Sequence, residues 1–116
     1  MQPADTKSVL RHLGIPQLNP MQEEVRKAFA LHQALACIAP TGSGKTLAFL
    51  LCVLDHLQEV APGQQVLILA PTRELVMQLA SVFRSMKTGF STCLCYGGHD
   101  MDREIHQLRA HPACIM

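Results

Sequence analysis

The sequence predicts an α/β fold, a parallel sheet flanked by helices, and three observations point to it. Short apolar runs at 34–39, 66–70, 91–96 and 113–116 alternate with longer stretches of helical periodicity. Strands alternating with helices build βαβ units and therefore parallel pairing. The runs are continuously apolar, the pattern of strands buried on both faces. Finally, a glycine-rich loop at 39–46 joins the first run to the helix that follows it.

Taken in order, the elements have local reasons. A first helix is expected over "ADTKSVLRHLG", where Val9, Leu10 and Leu13 share a face and Gly14 supplies the stop. A second follows in "NPMQEEVRKAFALHQ". Asn19 can cap it, Pro20 fits the first turn, and Glu23 and Glu24 suit the positive end of the helix dipole. Its apolar face is Val25, Ala28, Phe29 and Leu31. "ALACIA" at 34–39 reads as the first buried strand. Leu47 to Leu57 is a helix apolar nearly all round, hence largely buried. "VLILA" at 66–70 is the second strand, after the surface loop "EVAPGQQ". Residues 73–87 place Leu75, Leu79, Val82 and Met86 at helical spacing, with Gly89 beyond. "STCLCY" at 91–96 is the third strand, ended by Gly97 and Gly98. Asp100 can cap a helix to about Ala110, with Ile105 and Leu108 inward, and "ACIM" at 113–116 begins a fourth strand. With no turn after that strand, residues 1–116 read as the front portion of one domain of a longer chain.

Composition works by exclusion. The net charge is +1 with histidine neutral, so there is no basic footprint to argue for nucleic acid. Four Phe, one Tyr and no Trp offer no evident base-stacking platform. Five cysteines in no regular framework speak against a secreted disulfide scaffold and for the buried thiols of a cytoplasmic protein. Six histidines show no metal spacing, and His99 is the one beside a candidate site. The N-terminus lacks the basic and apolar segments of a signal peptide. The longest apolar run, Leu47 to Leu54, is too short to span a bilayer, so no membrane partner is expected.

The loop "APTGSGKT" carries the chemistry. Between a strand and a helix, this spacing matches the phosphate-binding loop, with Ala39 where the pattern begins with glycine. Gly42 and Gly44 permit backbone angles and close approach that a side chain would block. Successive amides of Thr41, Gly42, Ser43 and Gly44 can then turn inward as an anion nest, with the helix N-terminus behind them. Lys45 can reach the β- and γ-phosphates, and the Thr46 hydroxyl can ligate Mg²⁺. An ordinary glycine turn before a helix is the plainer reading, but it does not explain all eight positions. Kinases, GTPases, ATPases and helicases share such a loop, so the loop alone does not fix the reaction.

Four segments in order narrow it: "GIPQLNPMQ", "APTGSGKT", "APTRELVMQLA" and "YGGHD". Together they resemble the DEAD-box family of ATP-dependent RNA helicases, over nearly the whole chain, as the front part of the first RecA-like domain. The resemblance implies ATP and Mg²⁺ as cofactors. RNA and the second RecA-like domain of the parent protein would be its partners. It gives Gln22 to the adenine edge, whose donor and acceptor an amide can match. Asn19 and Gln22 also form a good capping box, and the two uses are compatible. The family's Pro-Thr before that motif is here Leu18-Asn19, and its upstream aromatic falls on Asp5. The resemblance gives Pro71, Thr72 and Arg73 to the RNA backbone, where contacts position a strand without reading its sequence. Arg73 stands at a helix start, where a cation opposes the dipole, which favours a functional reason for it. Gly97 and Gly98 match the pair where RNA approaches closely, though a plain turn explains them equally well on physics.

Residues 1–116 contain no D-E-A-D segment. The resemblance puts that segment, which would hold the metal shell and orient the attacking water, beyond residue 116, together with the strands flanking the phosphate-loop strand. The chain as it stands is therefore expected to cradle phosphates without cleaving them, and to expose sheet edges. Two other readings stay open. One is a small-acceptor phosphotransferase with the same loop, in which "PTREL" has no role. The other is a module that binds nucleotide or RNA without chemistry.

Overall fold

The computed structural model describes residues 5–59, 66–96, 101–109 and 114–115. Helix α1 (Thr6–Leu13) begins where the Asp5 carboxylate accepts the Ser8 amide at 2.6 Å. It ends at Gly14, in the left-handed region at φ 71°, as the sequence predicts. Helix α2 (Pro20–Leu31) has proline in its first turn and the expected capping box. Val25 and Ala28 on it are half-buried, whereas Phe29 and Leu31 are exposed, so the apolar face is narrower than its sequence implies. Helix α3 (Lys45–Glu59) is the centre of the core: Leu47, Leu50, Leu51, Leu54 and Leu57 are all buried. Helix α4 (Arg73–Ser85) buries Val76, Leu79, Ala80 and Phe83. Leu79 and Met86 from the expected stripe are buried, but Leu75 and Val82 only flank the core. The reason is that the burying stripe runs through 76 and 83, one position further round the helix.

Strands β1 (Val66–Leu67), β2 (Thr92–Cys93) and β3 (Cys114–Ile115) form a parallel sheet in the order β1-β3-β2. Val66 and Thr92 both register with Cys114, so the last strand in the chain lies between the other two. Parallel pairing of strands separated by helices α4 and α5 (Met101–Arg109) is the βαβ arrangement expected.

Three expectations are corrected. Residues 34–39 form no strand, and Leu35 and Ile38 are exposed, Ile38 at 99%. An apolar run becomes a strand only with a partner for its N–H and C=O groups, and no strand pairs with this one among the described residues. Around β1, burial alternates: Ile68 is buried while Leu67 and Leu69 are exposed, so only one face is covered. On α5, Leu108 is half-buried but Ile105 is exposed, because the helix meets the rest of the molecule along β2 alone among strongly contacting elements. The expected cap at Asp100, the Gly97–Gly98 pair and the flanks of the last strand lie outside the described residues.

One tie joins the first three helices and was not evident from the pattern. The Arg26 guanidinium donates to both Asp55 oxygens at 2.6 Å and to Thr6 Oγ1 at 2.7 Å. The fork geometry holds α2 to α3 bidentately, and the paired carboxylate pushes the Arg26 pKa up.

Candidate functional site

The loop between residue 39 and α3 is shaped by one tight turn and two left-handed glycines. Ser43 N–H donates to Pro40 C=O at 3.2 Å, closing a tight turn, and Gly42 and Gly44 take φ of 83° and 91°. At Gly42 only the angle requires glycine, since an added Cβ would meet nothing within 4 Å. At Gly44 space requires it too: a Cβ would lie 2.5 Å from Gln22 Nε2 and 3.3 Å from Asn19 Nδ2. The first bond of α3 runs from Ala48 N–H to Gly44 C=O at 3.2 Å. The amides of Lys45, Thr46 and Leu47 therefore precede any intrahelical acceptor and point out of the helix N-terminus. The Ser43 amide serves the turn, so the expected nest is narrower than a run of successive free amides.

The capping box of α2 is the wall behind this loop. Asn19 Oδ1 accepts the Gln22 amide and Gln22 Oε1 accepts the Asn19 amide, each at 2.9 Å. The same two side chains then reach across to the loop. Asn19 Nδ2 donates to Ser43 C=O at 3.0 Å, and Gln22 Nε2 donates to Gly44 C=O at 3.1 Å. Gln22 is 6% exposed. Its amide is thus used as the cap that the sequence offered, and in addition as a clamp on the loop. The clamp was not foreseen, although two adjacent amide side chains one turn apart were its visible signal.

Lys45 is exposed at the start of α3, Thr46 is half-buried behind it, and Thr41 is exposed. The Ser43 hydroxyl is buried and has no hydrogen-bond partner. A buried, unpartnered donor beside a helix N-terminus and a lysine suits an oxyanion-rich group, so the loop residues fit a nucleotide's phosphates. For a divalent cation the fit rests on the Thr46 hydroxyl alone, since no cluster of three acidic, histidine or cysteine ligands occurs among the described residues. Lys45 also borders an apolar cavity of about 450 Å³ shared with Phe29, Leu35, Cys37, Phe49 and Val66. That cavity is walled by α2, α3, the chain from 33 to 37 and the start of β1, and it offers few polar groups to orient a ligand. Buried Cys52 on its wall has its thiol pKa pushed up by desolvation and by Asp55, which makes it an inert thiol.

The second group of residues lies at the N-terminus of α4. Thr72 is the N-cap, and its Oγ1 accepts the Leu75 amide at 3.1 Å. Pro71, Thr72 and Arg73 are exposed. The Arg73 guanidinium lies over the Tyr96 ring, 6.0 Å from its centroid. Tyr96 N–H in turn donates to Glu104 Oε1 at 3.1 Å, from α5. The structure therefore brings Arg73 to the residue just before Gly97, while Gly97 and Gly98 themselves are outside the described residues. Gln78 is exposed on α4. Among the described residues, no helix is long and apolar enough to cross a membrane.

Comparison with known proteins places the chain among helicases. A family model described as DEAD/DEAH box helicase matches residues 19–116. The DEAD-box ATP-dependent RNA helicase CshC of Bacillus cereus is 35% identical over 105 residues, covering 89% of this chain and 27% of its own length. The ATP-dependent RNA helicase RhlB of Pseudomonas putida is 34% identical over 116 residues, covering 92% of this chain and 29% of its own. Among solved structures, the RNA helicase Prp28 of Chaetomium thermophilum bound to ADP superposes with a TM-score of 0.79 at 33% identity, covering 94% of this chain and 28% of that one. A hypothetical ATP-dependent RNA helicase from Sulfolobus tokodaii shares the fold at a TM-score of 0.78. The chain thus spans less than a third of the length of these relatives.

Proposed function

The chain belongs to the DEAD/DEAH box helicase family, and on that premise we propose that it forms the ATP-holding face and part of the RNA-holding face of an ATP-dependent RNA helicase. The observation that carries this is the loop at 39–46. It has two positive-φ glycines, an orphan buried hydroxyl at Ser43 and Lys45 at the mouth of a helix N-terminus. Thr41 to Gly44 curl around the phosphates, Lys45 neutralises their charge, and Thr46 holds Mg²⁺. A bound Mg²⁺ would supply charge neutralisation at the phosphates. Gln22 lines the adenine side while its Nε2 stays tied to the loop, so that base and phosphate contacts share one rigid wall.

Pro71, Thr72, Arg73, Gly97 and Gly98 hold the RNA sugar-phosphate backbone, which fixes the strand without selecting a base. ATP and RNA together draw the second RecA-like domain onto this face. The protein acts in the cytoplasm. The family match sets aside the small-acceptor phosphotransferase. Residues 1–116 hold no D-E-A-D segment, so alone they bind without hydrolysing. Phosphate release, measured with and without single-stranded RNA, tests this. The whole protein should turn over ATP with RNA stimulation and residues 1–116 should not. Turnover by residues 1–116 at the rate of the whole protein would contradict the proposal.

A further inference from the structure

Cys93 and Cys95 form a pair of thiols that neither the nucleotide loop nor the RNA contacts use. They stand two residues apart, so an extended chain turns both side chains to one face. Their sulfurs are 3.8 Å apart. Cys93 is 1% exposed, whereas Cys95 is half-buried and reaches solvent. The Cys93 S–H donates to Gln107 Oε1 of α5 at 3.5 Å, which leaves Cys95 as the donor between the two sulfurs. A disulfide needs an S–S distance of about 2.05 Å and Cα atoms about 4.4–6.8 Å apart. Two steps along a parallel strand span about 6.6 Å, the outer edge of that range. A continuous ladder would hold the pair there. The ladder of β2 ends at Cys93, which registers with Ile115, and residues 94–96 belong to no strand. Cys95 can therefore draw in toward Cys93 without parting the two strands. A bridge closed at the edge of the allowed range is strained, and strained bridges are the easily reduced ones. The pair suits a reversible change better than a permanent staple.

We propose that Cys93 and Cys95 are an oxidative modification site, a dithiol that a peroxide closes to a disulfide and a small thiol reopens, and that closure loosens α5 from the end of β2. The accessible thiol acts first. The Cys95 thiolate attacks the peroxide O–O bond and becomes a sulfenic acid, and the second oxygen leaves as water or an alcohol. The Cys93 sulfur then attacks the Cys95 sulfur. The S–O bond breaks, the S–S bond forms, and the Cys93 proton leaves with the hydroxyl as water. Two thiols give up two electrons and the peroxide takes them. Burial, which helps push the Cys93 thiol up to about 11, keeps it from reacting first. The bridge consumes the S–H that Gln107 accepts, so one tie between β2 and α5 goes with it. No step rests on the ATP or RNA contacts assigned above.

The test treats the whole protein with hydrogen peroxide, alkylates the remaining thiols and digests with trypsin. Cleavage after Lys87 and Arg103 releases peptide 88–103, which holds Cys93 and Cys95 and no other cysteine. The expected product is that peptide lighter by two hydrogens and carrying no alkyl group. Dithiothreitol before alkylation should return it to the doubly alkylated form. In Cys93→Ala the Cys95 sulfenic acid lacks its partner and should be trapped by a 1,3-diketone, whereas in Cys95→Ala the Cys93 thiol should stay reduced. In the oxidised wild type, amides of 101–109 should exchange hydrogen about two- to tenfold faster, as the loss of one net hydrogen bond implies. Peroxide-treated Cys95→Ala should show no such change. Oxygen added to Cys95 while Cys93 is still alkylated, a bridge from either to another cysteine, or two untouched thiols would overturn the site. A diketone adduct on Cys93 in Cys95→Ala would overturn the order of attack. A bridge that leaves exchange across 101–109 unchanged would overturn the loosening of α5.

Discussion

Phe83 and Ile38 are both large apolar residues in apolar surroundings of sequence, yet Phe83 is 1% exposed and Ile38 is 99% exposed. The difference is one of neighbours. Phe83 lies on α4 within a cluster that α1, α3 and β1 close from several sides, with Val9, Leu50, Leu54 and Ile68 among its members. Ile38 lies on a run whose backbone finds no ladder among the described residues, whereas Leu67, in the ladder, and Leu69 beside it are exposed because one face of the sheet is left uncovered. Helices satisfy their backbone internally and need only a face to bury, so the helical half of the molecule closes on itself. A strand needs another strand before its apolar side chains can be buried at all.

Four substitutions or conditions would break or sharpen that contrast. Phe83→Ala should cost about 3–5 kcal/mol, seen as a lower urea midpoint with unchanged slope, because it removes a ring from a closed cluster. Gly44→Ala should cost roughly 1–3 kcal/mol, although the loop is not part of the core. Its φ of 91° disfavours any side chain and its Cβ would strike the Gln22 amide, so binding of an ATP analogue should fall with it. Raising the pH probes Cys93, which is buried beside Cys95. Burial first, then the hydrogen bond with Cys95, pushes its thiol from the ordinary 9.0 up to about 11. A thiol whose folded pKa is raised stabilises the fold fully below its unfolded pKa. That stability is lost as pH climbs from about 9 to about 11, by roughly 3 kcal/mol at most. Cys93→Ala should flatten the stability curve in that window relative to the wild type. Smallest of all, Ile38→Thr should change the unfolding midpoint by less than about 0.5 kcal/mol, as exposed positions do. A large loss there would mean that the 34–39 run is covered after all.

The helices were legible because their signals are local. Gly14 at a C-terminus, Asn19 and Pro20 at an N-terminus, and the leucines of α3 each state their role within a few residues. Parallel pairing was legible from alternation alone, and the sheet follows it. Burial of the strands was not, since the continuous apolar run at 34–39 reads identically whether its partners are present or not. Ile105 misled for the same reason: helical spacing tells which residues share a face, not whether another element covers it. At the site, the loop glycines, Lys45 and the capping box could be named in advance. The reach of Asn19 and Gln22 to the carbonyls of Ser43 and Gly44 could not, because those pairs are 24 and 22 residues apart. Arg73 and Tyr96 likewise belong to separate segments, and only the fold brings the guanidinium over the ring, 6.0 Å from its centroid.

The central claim is that residues 39–46 receive the phosphates of ATP. Calorimetric titration of the protein with ATP and Mg²⁺, beside Lys45→Ala, tests it most directly. Saturable binding in the wild type, weakened at least about tenfold by Lys45→Ala, which corresponds to about 1.4 kcal/mol, is the predicted result. No saturable heat from a folded sample, or equal affinity in the two proteins, would contradict it.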